Sequence, residues 1–257
     1  MTNRYFIFFS YNGTRYCGWQ RQPDNMTVQQ TIEEALSTVL QQDISVVGAG
    51  RTDTGVHARK MVAHFDYCEA EIEEKNAVVN SLNKMLSHDI AIDKIVPVRY
   101  DAHARFSATK RTYIYSLTER KDPFNYEIVC RKSLAKMNFD RMNEACRILF
   151  EYIDFTSFGK FSPDVKTNNC RITEAHWKQD GDIWRFTISA NRFLRNMVRA
   201  IVGTLIDVGR GKISLDDFKS IIEAKDRCKA GDSAPACGLA LVEIDYPDEI
   251  FLEKVGK

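Results

Sequence analysis

Eleven consecutive residues, Gly48-Ala49-Gly50-Arg51-Thr52-Asp53-Thr54-Gly55-Val56-His57-Ala58, gather three glycines, two threonines, an arginine, an aspartate and a histidine. Glycines behind a strand can let backbone amides cradle a phosphate, but the spacing refuses that chemistry. A dinucleotide fingerprint starting at Gly48 needs glycine at 53, where Asp53 stands, and the stretch lacks the Gly-Lys-Ser/Thr of a Walker loop. An aspartate aimed at pyrophosphate would repel it. Two readings stay open. Thr52, Asp53, Thr54 and Gly55 have the composition of a surface turn, whereas Arg51 beside Asp53, between two expected strands, points to a carboxylate held for chemistry. No second carboxylate stands at ligand-like spacing from Asp53, which argues against a metal-dependent hydrolase.

Other segments carry aromatic faces among hydrogen-bond donors. Tyr11, Tyr16, Trp19 and Gln20 in YNGTRYCGWQRQ suit either unpaired nucleotides or a core, and the core is the commoner fate of such residues. His103-Ala104-Arg105-Phe106-Ser107-Ala108-Thr109-Lys110-Arg111-Thr112-Tyr113 mixes bases with two aromatics, as a nucleic-acid groove or a basic strand edge does. Between Arg185 and Lys212 the chain carries Arg185, Arg192, Arg195, Arg199, Arg210 and Lys212 against Asp207 alone, while Asp66 to Glu74 holds five acids and no base. One basic and one acidic face are expected, the basic one suited to phosphate.

These residues need positions. Residues 4–10, RYFIFFS, read as a strand running into the Asn12-Gly13 turn. Thr27 and Gln30 form a capping box, and Val28, Ile32, Ala35, Leu36, Val39 and Leu40 recur at helical spacing, which predicts a helix from about 28 to 41. Ile44–Val47 and Met61–Tyr67 read as strands joined by the glycine-rich loop. Asn76–Leu86 and the run from Phe139 to Leu149 read as helices, and Ile92–Tyr100 and Thr109–Leu117 as strands. Arg171–Lys178 and Ile183–Ala190 flank Gln179-Asp180-Gly181-Asp182 as a hairpin. A helix from Asn191 would bury Leu194, Met197, Val198, Ile201, Val202 and Leu205 and turn Arg192, Arg195 and Arg199 outward together. Gly209 and Gly211 end it, Ser214 with Asp217 caps the next helix, and Leu239–Tyr246 is a closing strand. Strands next to strands, broken by a few helices, give an α+β class with a largely antiparallel sheet and helices on one face. A boundary is expected near 105–108, dividing the chain into 1–106 and 107–257.

The 257 residues, 44% hydrophobic and 28% charged, are enough for one large or two ordinary domains, and 36 basic against 35 acidic residues leave a formal net charge of +1. The apolar run near Met1 is too short for a signal core or a membrane span. Seven cysteines with no CxxC pair, and five histidines with no HExxH, imply reduced thiols in a cytoplasm and no metal.

Taken together, YNGTRYCGWQRQ, GAGRTDTGVHA, HARFSATKRTYIY, FTSF at 155–158, NRFLRNMVRAIVG from Asn191 and APACGLALVEIDYP resemble the tRNA pseudouridine synthase A family, in order and over nearly the whole chain. Thr54 stands where the family often has Ala, and Ala102 precedes His103 where Phe is common. The resemblance implies two similar ferredoxin-like α+β halves around a central RNA-binding cleft, a homodimer, and tRNA as partner. It implies isomerisation of uridine to pseudouridine at positions 38, 39 and 40 of the anticodon arm, with no cofactor, metal or membrane. By the same resemblance Asp53 is the catalytic carboxylate, Arg199 pairs with it, Tyr113 stacks on the target base and helps to move the C5 proton, and Leu239 packs the other face of the base. Arg51 fills the space the base leaves, and Arg105, Lys110, Arg111, Arg192 and Arg195 contact RNA. Asp53 acts as nucleophile or as base; the sequence does not choose. The rival readings are a pseudouridine synthase with a different RNA target and a catalytically silent RNA-binding protein, the second of which is disfavoured by the joint presence of Arg51, Asp53, Tyr113 and Arg199.

Overall fold

The computed structural model describes residues 2–68, 71–160 and 167–253, and Glu69 of the acidic stretch lies outside them. In chain order the elements are β1 (Asn3–Tyr11), α1 (Val28–Leu40), β2 (Val47–Gly48), β3 (His57–Tyr67), α2 (Lys75–Met85), β4 (Ile90–Val98), β5 (Lys110–Thr118) and β6 (Cys130–Arg131). They continue with α3 (Phe139–Ile148), β7 (Ile172–Asp180), β8 (Ile183–Ala190), α4 (Met197–Gly209), α5 (Leu215–Glu223) and β9 (Leu239–Asp245). Mixed α and β structure with mostly antiparallel strand pairing and five α-helices is what the described residues form. The chain divides into two compact units, Met1–Lys110 with Leu241–Lys257, and Arg111–Ala240. Among the described residues no helix is long and apolar enough to cross a membrane.

In the first unit β1 lies between β4 and β3, antiparallel to both, with β9 beyond β3. Tyr5, Phe6, Ile7, Phe8 and Phe9 are all buried. An unbroken run of aromatic and aliphatic residues, rather than an alternating one, is what a central strand covered on both faces requires. Helix α2 packs on β4 and α1 on α2. At the start of α1 the Thr27 hydroxyl accepts from Gln30 N, as its capping role demands, while the Gln30 side chain turns forward to Glu34.

The strand expected over Ile44–Val47 is mostly not one. Only Val47 and Gly48 pair with β3, opposite His64 and Ala63. The residues before them are extended because polar side chains of α1 take their backbone bonds: Ile44 N donates to Ser37 Oγ at 2.9 Å, Val46 N to Glu33 Oε1 at 3.1 Å, and Val46 O accepts from Gln29 Nε2 at 3.1 Å. Glu33 is 7% exposed, and its carboxylate also accepts from Gln29 Nε2 and pairs with Arg21. A buried carboxylate at the centre of three donors ties the helix to the chain that enters the glycine-rich loop.

In the second unit β8 lies between β5 and β7, antiparallel to both, and β6 runs parallel beside β5. Gly181, at φ +58°, turns the β7–β8 hairpin. Helix α3 packs on α4, α5 and β7. Ser214 and Asp217 close a full capping box at the start of α5.

The helix expected from Asn191 begins instead at Met197. Asn196, at φ +65°, is left-handed and cannot be an interior helical residue. Upstream of it other partners claim the backbone: Asn191 Oδ1 accepts from Arg171 N and Arg192 N, and Arg195 O accepts from Lys160 N at 3.0 Å. Arg192 and Arg195 therefore lie on the loop leading to α4, and of the three arginines Arg199 alone is helical.

Replacing Glu33 by alanine is expected to lower unfolding free energy by about 2–4 kcal/mol, because buried donors lose a charged acceptor. Denaturant unfolding of Glu33→Ala beside Glu33→Gln, which keeps one acceptor oxygen and loses less, measures it.

Candidate active site

The loop that carries Asp53 runs from β2 into β3. Its first residue past β2 is still tied to the sheet, since Ala49 N donates to Val62 O at 2.8 Å. At the far end Val56 N donates to Asp53 O at 3.1 Å, closing a turn across Thr54 and Gly55, with Gly55 at φ +76° supplying the backbone geometry that a side chain would oppose. The turn composition is thus realised as a turn. Asp53 is half-buried and Arg51 exposed.

What fixes this turn comes from the YNGTRYCGWQ segment. Trp19 N donates to Thr52 O at 3.1 Å, Tyr11 Oη and Thr52 Oγ1 lie 2.8 Å apart, and Gly13 N donates to His57 Nδ1 at 3.0 Å. Gly18 takes φ +86° and presses so close that a Cβ there would come 2.7 Å from Thr52 O and 3.2 Å from Asp53 C. Tyr11, Tyr16 and Trp19 are all at least 96% buried, with Trp19 stacked on Phe9 at 5.8 Å between ring centroids. These aromatics are core, not a nucleotide platform. The bonding acceptor on His57 fixes its ring as a buried strut, a role the sequence did not reveal because nothing in the spacing of a lone histidine distinguishes a strut from a catalytic base.

A second loop of the first unit, from Arg99 to Thr109, presents Arg105. Its spine is two imidazoles. His64 Nδ1 accepts from Ala104 N at 3.2 Å, and His103 Nδ1 accepts from Arg105 N and Phe106 N at 3.1 and 3.3 Å. The rings meet edge-on at 4.6 Å. Burial chiefly, then the neighbouring His103 and Arg4, depress His64 from 6.5 to about 4, and burial followed by Arg4 and Arg105 also lowers His103. Both therefore act as neutral acceptors. Lys110, at the loop's exit, pairs with Asp245 at 2.8 Å.

The remaining sequence-singled residues belong to the second unit. Tyr113 is 9% exposed on β5, opposite Ile188, and meets Phe193 edge-on at 5.2 Å. Arg111 is buried and donates to Asn191 O at 3.0 Å. Arg199, in the first turn of α4, is locked to Ala234 twice: its Nε donates to Ala234 O at 2.8 Å, and its own carbonyl accepts from Ala234 N at 2.9 Å. Asn196 Nδ2 reaches Ser233 Oγ at 2.7 Å alongside. Leu239 is buried at the start of β9. Part of the basic run is already neutralised, because Arg185 pairs with Asp180 and Lys212 with Asp207.

A half-buried aspartate on a turn immobilised by buried backbone bonds is suited to covalent or proton-transfer work, since it loses little freedom on meeting a substrate. The sequence profile described as tRNA pseudouridine synthase matches residues 7–107 and 152–247. This chain belongs to the tRNA pseudouridine synthase family. It is accordingly an enzyme of the isomerase class. The chain is 58% identical to the tRNA pseudouridine synthase A of Parabacteroides distasonis over 96% of its own length and 98% of that protein. It is 57% identical to that of Porphyromonas gingivalis, over 97% and 99%, and 38% identical to that of Caldicellulosiruptor bescii, over 93% and 98%. The profile's matched segments contain Arg51, Asp53, Arg105, Arg192, Arg195, Arg199 and Leu239, while Lys110, Arg111 and Tyr113 fall between them.

Alanine at Gly18 must adopt a left-handed backbone and displace Thr52, so Gly18→Ala is expected to cost at least about 2 kcal/mol of stability and to depress activity; thermal melts and turnover of the same preparation check both. The histidine pair predicts a pH effect. An unfolded imidazole takes its proton near pH 6.5, the folded His64 only near 4, so the unfolded state holds more protons between these values and stability falls as pH falls through that window. His64→Asn, whose Oδ1 can still accept from Ala104 N, is expected to flatten the loss of stability between pH 6.5 and 4 relative to the parent.

Proposed function

We propose that this chain isomerises uridine to pseudouridine at positions 38, 39 and 40 in the anticodon arm of tRNA, with Asp53 as the essential carboxylate and no cofactor. The observation that carries the reading is the Asp53 turn: a carboxylate inside a family-matched segment, held by Tyr11, Trp19 and Gly18. The isomerisation breaks the N1–C1′ bond, turns the base and joins C5 to C1′, with no net redox change and no atom lost. It needs an ionised, positioned carboxylate, attacking as nucleophile or removing a ribose proton.

In this reading the two halves, 1–106 and 107–257, are ferredoxin-like, with helices on one face of the sheet and a central cleft for RNA, and the enzyme works as a cytoplasmic homodimer. Arg199 supplies the cation that pairs with Asp53. Its double tie to Ala234 supports that role, because a guanidinium fixed at Nε presents its two terminal nitrogens in one direction. Tyr113 and Leu239 sandwich the uracil, and Arg51 occupies the gap in the stem after the base leaves the stack, a departure that costs a few kcal/mol. Arg105, Lys110, Arg111, Arg192 and Arg195 meet phosphate.

Unmodified tRNA transcripts with uridines at 38–40, incubated with protein and mapped by chemical labelling, are expected to acquire pseudouridine at those positions. Asp53→Asn is expected to lose activity by about four orders of magnitude while binding tRNA nearly as well. Pseudouridine elsewhere, equal activity in the variant, or tRNA bound without modification would each replace this reading.

A further inference from the structure

The loop from Arg99 to Thr109 places a large apolar ring in solvent and holds it there. Phe106 is 76% exposed. An exposed phenyl group ordinarily gains by folding back on the surface, and here the backbone prevents it. His103 Nδ1 accepts from the amides of Arg105 and Phe106, His103 N donates to Ser107 Oγ, and Ser107 N donates back to His103 O, both at 2.9 Å. The His103 ring supports Phe106 at 4.4 Å between centroids, and His64 supports His103 in turn. Ala102 and Ala104 anchor the loop in the core, with Ala104 O accepting from Tyr246 Oη at 2.6 Å.

The ring is also charged in its surroundings. The Arg105 guanidinium lies over Phe106, 5.6 Å from the centroid. On the same loop Tyr100, 64% exposed, carries the Arg4 guanidinium over its ring at 5.0 Å, and Arg4 is fixed by a bidentate bond to Asp66. Rigid exposed aromatics accompanied by arginines are the composition that binds single-stranded nucleic acid: each base stacks on a ring, and the guanidinium meets the neighbouring phosphate. A protein partner would call for a broader apolar patch around the ring than arginines and a polar loop provide.

We propose that Phe106 is a stacking platform for an unpaired nucleotide of the RNA substrate, distinct from the base that is isomerised. The inference rests on the tRNA reading and adds to it a positioning residue that holds substrate without touching the reacting atoms. Its signature is a KM effect with an aromatic requirement. In the full-length protein acting on unmodified tRNA transcript, Phe106→Ala and Phe106→Leu are expected to raise KM roughly 5- to 150-fold, the range for losing one base–ring stack, with kcat changed by less than about twofold. Phe106→Trp and Phe106→Tyr are expected to restore KM. In Phe106→Trp the added indole is expected to be quenched by the transcript, measured against the parent, whose three tryptophans are the background. An unchanged KM in Phe106→Ala, or full activity in Phe106→Leu, overturns the platform while leaving the isomerase reading intact. If the parent forms no pseudouridine, the isomerase reading fails instead, and the indole signal still decides: quenching by tRNA upholds the platform and its absence removes it.

Discussion

One backbone contact governs the first unit: the chain at Gly18 and Trp19 lies directly against the chain at Thr52 and Asp53. Trp19 donates to Thr52 O on one side, while the carbonyls of Gly18 and Trp19 accept from Val28 N and Gln29 N at the start of α1 on the other. The amides at a helix N-terminus need acceptors in any fold. Here they find them in the same two residues that brace the aspartate turn. Helix, aromatic segment and turn are therefore one bonded unit, and none can shift without the others. A positive φ at Gly18 is the geometric condition for it, which is why a residue with no side chain stands at that point.

The same economy explains the polar residues of the interior. Glu33, His57 and His64 are all more than 90% buried, and each accepts bonds from backbone amides of a segment that has no ladder partner at that point. Irregular backbone near a site carries amides that must be satisfied, and buried side chains that offer an acceptor are the direct means. For His64 that acceptor must be a neutral imidazole, and burial, which lowers its pKa to about 4, keeps it neutral.

Much of this was legible in the residues. The aromatic run of β1, the Thr27 cap, the β7–β8 hairpin at Gly181 and the Ser214–Asp217 capping box each carry their instruction within a few neighbours, and the structure follows them. The misread elements share a cause. Ile44–Val47 looks like a strand and Asn191–Asn196 like a helical turn by periodicity, but their backbone bonds go to Ser37, Glu33, Gln29, Arg171 and Lys160, and periodicity does not report distant partners. The candidate site divides likewise. Asp53 and Arg51 stand out by type and spacing, whereas Gly18 and Ala234 act through backbone contacts, and His57 through a ring nitrogen that accepts from Gly13 N, partners that the local spacing does not announce.

The first unit is assembled from both ends of the sequence, residues 1–110 and 241–257, with the 130-residue second unit between them in the chain. Strand β9 lies beside β3, Arg99 N donates to Ile250 O, Leu252 N to Pro97 O, and Phe251 packs edge-on against Phe6. During synthesis the strands bearing the aspartate turn must therefore wait, with the edge of β3 unmatched, while the whole second unit is made, until the residues of β9 follow.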